Sequence, residues 1–183
     1  MQSFLKLVEK RRSVRRFQDK PVQRDLLRDC VEAARLAPSA ENVEPWRFVI
    51  VDDPDAKATL ANAAFSGVYR ATRWAEKAPA LVVLLSKKDI LANRLGKQIT
   101  GIHYYLIDIG IAGEHFVLQA ADSGLGTCWI GWFDPRKTRK VLDVPASWQP
   151  VAMLAVGHPA TDKQAEKKRR SLDDILFFNS VRG

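Results

Sequence analysis

Cysteine is scarce: Cys30 and Cys128 are the only two in 183 residues. That excludes a disulfide scaffold and a four-cysteine zinc site. Both lie in apolar runs, which points to buried free thiols in a reducing compartment. No apolar run approaches the ~18 residues that a membrane span needs. The N-terminal MQSFLKLVEKRR carries its charge after its apolar residues, the reverse of a secretory signal. No internal repeat and no Pro/Gly/Ser-rich linker divides the chain. The expectation is therefore one cytoplasmic domain that does not meet the membrane. Standard phosphate and hydrolase signatures are missing too. Gly124 and Gly126 form a G-x-G, but Trp129 stands where a dinucleotide fingerprint needs its third glycine. Gly96-Lys97 is followed by Gln98 and lacks the upstream glycine of a P-loop. No serine sits in a G-x-S-x-G elbow. His103, His115 and His158 show no metal spacing, so no metal site is expected.

What the chain does have is an ordinary globular balance, 46% hydrophobic and 27% charged residues, with a net charge of +8. That excess suits a polyanion, a phosphate-bearing ligand or an anionic surface without choosing among them. Helical spacing of Phe4, Leu7 and Val8 after Ser3, a plausible N-cap, predicts a first helix. A second runs from about Gln23 to Leu36, with Val22, Leu26, Leu27, Cys30, Val31 and Ala34 on one face and Pro38 ending it. Residues 47–51 read as a strand, 56–78 as two helical pieces, and 80–86 as a strand buried on both faces. Residues 87–104 read as a loop or lid. The segment 107–122 is apolar around almost its whole circumference, which predicts burial on all sides and a subunit interface. His115 within it is expected to be a satisfied core or interface histidine. Gly124 is its expected C-cap. Strands follow at 127–131 and 151–156, with a polar helix near 135–142 between them. The tail is basic at 163–170 and apolar at 175–178. The order of elements indicates an α+β or mixed α/β sandwich.

Two segments could carry chemistry. Lys10-Arg11-Arg12-Ser13-Val14-Arg15-Arg16-Phe17 places five cations and a hydroxyl in eight residues. Arginine forks with a serine hydroxyl suit a phosphate or a polar heteroaromatic edge; a solvated basic patch is the competing reading. The segment 37–46, Ala-Pro-Ser-Ala-Glu-Asn-Val-Glu-Pro-Trp, has its shape fixed by two prolines and offers Ser39 and Asn42 as hydrogen-bonding groups. By composition alone an ordinary helix-to-strand turn is the favoured reading.

Arg-Arg-Ser-Val-Arg-Arg-Phe at 11–17, Ala-Pro-Ser-Ala-Glu-Asn-Val-Glu-Pro-Trp-Arg-Phe at 37–48 and Gly-Leu-Gly-Thr-Cys-Trp-Ile-Gly at 124–131 occur in order. Together they resemble the FMN-dependent nitroreductase superfamily over roughly residues 4–178. The resemblance implies an α+β fold: a three-layer α-β-α sandwich with a mixed, mostly antiparallel sheet, in an intertwined homodimer. Residues 1–172 would form the FMN-binding domain. Residues 173–183 would form an arm that packs on the partner and adds an edge strand to its sheet. By the same resemblance, Arg11, Arg12, Ser13 and Arg15 hold the FMN phosphate, ribityl chain and pyrimidine edge. Pro38, Ser39, Ala40 and Asn42 reach the partner's flavin. Ile130 and Gly131 face the isoalloxazine with main chain, the Gly131 N–H lying near N5. The phosphate-gripping Lys-x-Arg matches Lys167/Arg169, with Lys168/Arg170 as the other register. Glu44 replaces the family's frequent glutamine.

The implied function is an FMN-dependent oxidoreductase that takes electrons from NADH or NADPH. It would pass them to nitroaromatics, quinones or similar small-molecule acceptors in ping-pong order, with no protein nucleophile or base. Phe65, Tyr69, His103, Tyr104 and Tyr105 are candidate pocket aromatics. Three alternatives stand beside this reading. One is a flavoenzyme of the same fold with other chemistry, such as dehalogenation, enoyl reduction or flavin fragmentation. A second is a non-catalytic flavin-binding protein. The third is a nucleic-acid binder, disfavoured because the cations form short clusters and no nucleic-acid-binding motif accompanies them.

Overall fold

The computed structural model describes residues 4–87, 101–161 and 166–181. Strands β1 (Trp46–Val51), β2 (Ala80–Lys87), β3 (Gly126–Ile130) and β4 (Trp148–Gly157) form one sheet in the order β1-β2-β4-β3. All three pairings within it are antiparallel. Among the described residues, the one parallel contact is an isolated bridge from Ser13 to Thr127. The step from Leu84↔Ala152 to Leu85↔Pro150 leaves Val151 as an extra residue on β4. Pro150 has no N–H to give the ladder, so a bulge is where a strand tolerates it.

β2 is buried along Ala80–Ser86, as its unbroken apolar run requires. Its even-numbered residues Val82 and Leu84 pack beneath α2 (Arg24–Arg35) and α4 (Tyr104–Asp122). Its odd-numbered residues Leu81, Val83 and Leu85 pack against α3 (Pro54–Ala64) and the 3-10 helix Gly67–Lys77. Helix α5 (Pro135–Val141) lies beside α3 on that second face. This gives the three layers. Burying each aliphatic side chain of β2 contributes about 1.5–3 kcal/mol relative to exposure, so β2 is the structural spine.

The segment 56–78 does divide in two, and its second piece is a 3-10 helix rather than an α-helix. Helices α3 and α5 begin alike, with Asp53-Pro54 and Asp134-Pro135: each aspartate accepts two main-chain N–H groups of the first turn. Helix α4 starts at Tyr104, three residues before the periodicity suggests. It ends in a Schellman turn: Leu125 N–H donates to Ala120 O and Gly124 N–H to Ala121 O, with Gly124 at φ 76°.

Within one chain α4 is not buried on all sides. Ile109, Ala112, Phe116, Val117 and Ala120 face the core, whereas Leu106 (45%) and Ile107 (49%) are exposed. His115 is exposed as well, its Nδ1 2.9 Å from Ile111 O. An apolar circumference therefore reports a second buried face only if another surface covers it. Phe65 belongs to the core at 1% exposure. Cys30 and Cys128 are buried free thiols. Most of the lid expected at 87–104 lies outside the described residues. Among the described residues, no helix is long and apolar enough to cross a membrane.

Candidate functional site

Helix α1 (Phe4–Lys10) stops at the basic motif, which then runs extended beside β3. The Val14 N–H donates to Thr127 O at 2.8 Å, fixing the segment on the sheet edge. Gly126 permits that approach, because a Cβ there would lie 2.7 Å from Val14 Cγ2. The result is a cavity of about 550 Å³ lined by Arg11, Arg12, Ser13, Arg15, Lys167 and Arg169, among others. Lys168 borders it too; Arg170 does not. Two sequence segments some 150 residues apart thus meet at one place.

The field inside is strongly positive. Lys167 is half-buried and donates to Val8 O. Its pKa is held below the usual lysine value, first by burial and then by the repulsion of Arg11, Arg12 and Arg169. Arg11 is steadied by Glu114 of α4 at 3.8 Å. The same carboxylate accepts Trp129 Nε1–H at 3.4 Å. Trp129 in turn lies over Gly113, where an added Cβ would fall 2.1 Å from its Cη2. Gly113→Ala should therefore displace Trp129 and lower stability by about 1–3 kcal/mol through overpacking. A urea-unfolding midpoint and the tryptophan emission maximum check this; an unchanged midpoint would contradict it.

At the other end of the motif, the Arg15 guanidinium lies over Trp74, 5.7 Å from its centroid. This cation–π contact ties the basic segment to the 3-10 helix 67–77. Beneath it, burial pushes the Cys128 thiol upward, partly opposed by Arg15 and Arg11. Ile130 ends β3 inside the core, and Gly131 emerges into solvent. No atom lies within 4 Å of a Cβ built on Gly131, and its φ is not left-handed. The next residue, Trp132, is 55% exposed yet held fast. Its Nε1–H donates to Val68 O at 3.0 Å, and its carbonyl accepts Thr72 Oγ1–H at 2.7 Å. Tyr69 tilts against it at 5.2 Å.

The 37–46 segment forms a separate structure. Ser39 precedes a single 3-10 turn at Ala40–Asn42. Glu41, Asn42 and Glu44 adopt φ of 52°, 54° and 45°, left-handed conformations that cost on the order of 1 kcal/mol or more each without glycine. Ser39 Oγ accepts the Glu44 N–H at 3.0 Å, closing the loop on itself. Pro38, Ser39, Ala40 and Asn42 share this loop but do not line the basic cavity of their own chain. Glu44 is exposed on its far shoulder.

Arg11, Arg12, Ser13, Arg15, Lys167 and Arg169 are thus gathered, Gly131 is presented on an exposed turn, and the 38–42 loop stands apart. Sequence reading missed Trp74, Trp132, Glu114 and Asp108. Their signal is weak in one dimension: each is one tryptophan or acid among many, marked only by its partner in space. His103 and Tyr105 make an edge-on contact at 5.6 Å near the start of α4. Among the described residues, no cluster of metal-ligating side chains exists.

The nitroreductase family model matches residues 8–158. An NADH dehydrogenase of Thermus thermophilus is 33% identical to this chain, over 84% of it and 85% of the relative. A 5,6-dimethylbenzimidazole synthase of Rhodospirillum rubrum is 32% identical, over 84% and 80% of the two chains. The crystal structure of a nitroreductase family protein from Clostridium difficile superposes with a TM-score of 0.81 at 26% identity, covering 98% of this chain and 100% of that one. With the family's model spanning most of its length and the family's fold in its structure, this chain belongs to the nitroreductase family.

Proposed function

We propose that this protein is an FMN-dependent NAD(P)H oxidoreductase that reduces nitroaromatics, quinones or similar acceptors in the cytoplasm, working as a homodimer. The observation that carries the proposal is the charge of the cavity. Seven cations (Arg11, Arg12, Arg15, Arg16, Lys167, Lys168, Arg169) and one carboxylate, Glu166, line it. Like charges so close repel, adding to burial in holding the Lys167 pKa down, and a bound phosphate relieves that repulsion. A volume of about 550 Å³ suits a small cofactor.

In this reading Arg11, Arg12, Ser13, Lys167 and Arg169 hold the phosphate and ribityl chain. Arg15, oriented by Trp74, faces the pyrimidine edge and stabilises negative charge there. Ile130 and Gly131 supply main chain to the ring, and the Gly131 N–H points at its redox-active edge. Pro38, Ser39, Ala40 and Asn42 serve the partner's cofactor. When bound, FMN supplies the redox chemistry, accepting two electrons from NAD(P)H and releasing them to the acceptor. Donor and acceptor use one face in turn, which is a ping-pong order.

The dimer is supported by apolar surface that one chain leaves open. Leu106 and Ile107 on α4, Phe4 and Leu5 on α1, and Leu172, Ile175, Phe177 and Phe178 in the tail are all exposed. Residues 173–183 act as an arm on the partner. The outer edge of β1 pairs with no other strand among the described residues, whereas the basic motif occupies that of β3.

The purified protein is expected to be yellow and to release FMN on denaturation, identified by chromatography. Released FAD would change the assignment, and no flavin after incubation with excess FMN would end it. Anaerobic titration with NADH and then NADPH, followed by nitroaromatics and quinones, defines donor and acceptor. The synthase relative makes that acceptor panel necessary. Flavin that NAD(P)H does not reduce would leave a binding protein instead of an enzyme.

A further inference from the structure

Helix α4 carries an acid in its first turns that the chemistry above does not use. Asp108 is 3% exposed. Its Oδ1 accepts the Ala40 N–H at 3.0 Å. Its Oδ2 has no hydrogen-bond partner among the described residues. Burial pushes its pKa up. An acid so placed is an expensive way to satisfy one main-chain N–H.

What it holds is the stretch with the most left-handed non-glycine residues among the described residues. Ala40 begins the turn in which Glu41, Asn42 and Glu44 are left-handed. Such a run persists only where its surroundings over-determine it. Within the loop, Asn42 N–H bonds to Ser39 O, Val43 N–H to Ala40 O, and Glu44 N–H to Ser39 Oγ. These bonds shape the loop but do not attach it to the body. Its exit is attached by Arg47, which donates to Glu44 O, and by Lys87 N–H, which donates to Pro45 O. Its entrance is attached by Asp108.

We infer that Asp108 is a positioning residue: it clamps the entrance of the 39–44 loop to α4 and so holds Ser39, Ala40 and Asn42 at the partner's FMN. The inference rests on the reading that this loop serves the partner's cofactor. It adds that α4 orders both sites of the dimer. Through Glu114 the helix steadies Arg11 in its own chain's cradle, and through Asp108 it steadies the loop offered to the other.

The test is FMN titration of apo-dimers, followed by flavin fluorescence. Asp108→Leu removes the acceptor and should weaken FMN binding about 10- to 100-fold. Asp108→Asn keeps an oxygen for the Ala40 N–H and should restore binding to within about threefold. Rescue by asparagine shows that the acceptor oxygen, and not the negative charge, does the holding. Asn42→Ala reports on the loop itself. If it binds FMN as the parent does, the cross-subunit reading fails together with this inference. If it weakens binding while Asp108→Leu does not, only the Asp108 inference is overturned. A mixed dimer of one Asp108→Leu chain and one Arg11→Gln chain locates the lesion. Both changes should fall on one site, leaving half the FMN bound with the parent affinity. Two damaged sites would show that Asp108 acts on its own chain's cradle, and loss of the dimer in Asp108→Leu would show a merely structural role; either overturns the proposal.

Discussion

Replacing Arg11 and Lys167 together by glutamine should weaken FMN binding by about two to four powers of ten. In the proposed reading each cation would make a charge-assisted hydrogen bond to the phosphate worth about 1.5–3 kcal/mol, and two such losses give that range. The sign of the accompanying stability change is the sharper test. In the apo-protein Lys167 sits among Arg11, Arg12 and Arg169, and its folded pKa lies below the usual lysine value. Between the folded and the unfolded pKa the unfolded chain binds the extra proton, so stability rises with pH across that window. Below that window both the burial cost and the repulsion are fully present. Lys167→Gln should therefore leave the apo-protein no less stable at pH 7 while the FMN-loaded protein loses stability. Thermal melts with and without FMN, beside equilibrium titration, check both halves. A variant that melts early without FMN and still binds it tightly would show the lysine to be structural.

Gly131→Pro is expected to slow flavin reduction by NAD(P)H about 10²-fold, if the lost N–H acts as preorganised oxyanion-type donors do. Proline removes the donor and also fixes φ. Gly131→Ala isolates the first effect from mere bulk. The built Cβ meets nothing within 4 Å, and φ at this position is not left-handed. Alanine should accordingly reduce at the parent rate. Both are measured by stopped flow on dimers that still bind FMN, since Gly131 follows directly on β3. A proline variant with the parent rate would remove the Gly131 N–H from the mechanism. An alanine variant that is slow would mean that the site tolerates no side chain there, contrary to the open space around it.

The layers were legible because burial leaves period and composition in the chain. The continuous apolar run at 80–86 could only be a strand covered on both faces, and it is. The stripe through Leu27, Cys30 and Ala34 could only be a helix with one buried side, and all three are buried. The ends of elements were less legible. The start of α4 lies three residues before its periodicity because Tyr104 and Tyr105 contribute to the helix without facing its core. The 3-10 character of 67–77 left no mark in spacing. The circumference of α4 is apolar nearly all round, whereas one chain covers only one stripe of it. Hydrophobicity records that a surface is meant to be covered, not which molecule covers it.

By itself the sequence determined the family, the basic motif, the two-proline loop and the alternation that makes three layers. Each rests on residues near one another in the chain, where side-chain period and backbone restriction act directly. Only the tertiary structure decided what those pieces do to each other. It brought Lys167 and Arg169 to Arg11 across the whole chain. It put Trp74 under Arg15 and Glu114 beside Arg11. It set a buried Asp108 against the Ala40 N–H. These contacts depend on how the sheet stacks α4, β3 and the tail in space. Coulomb repulsion and desolvation act through distance and burial, which sequence separation does not encode.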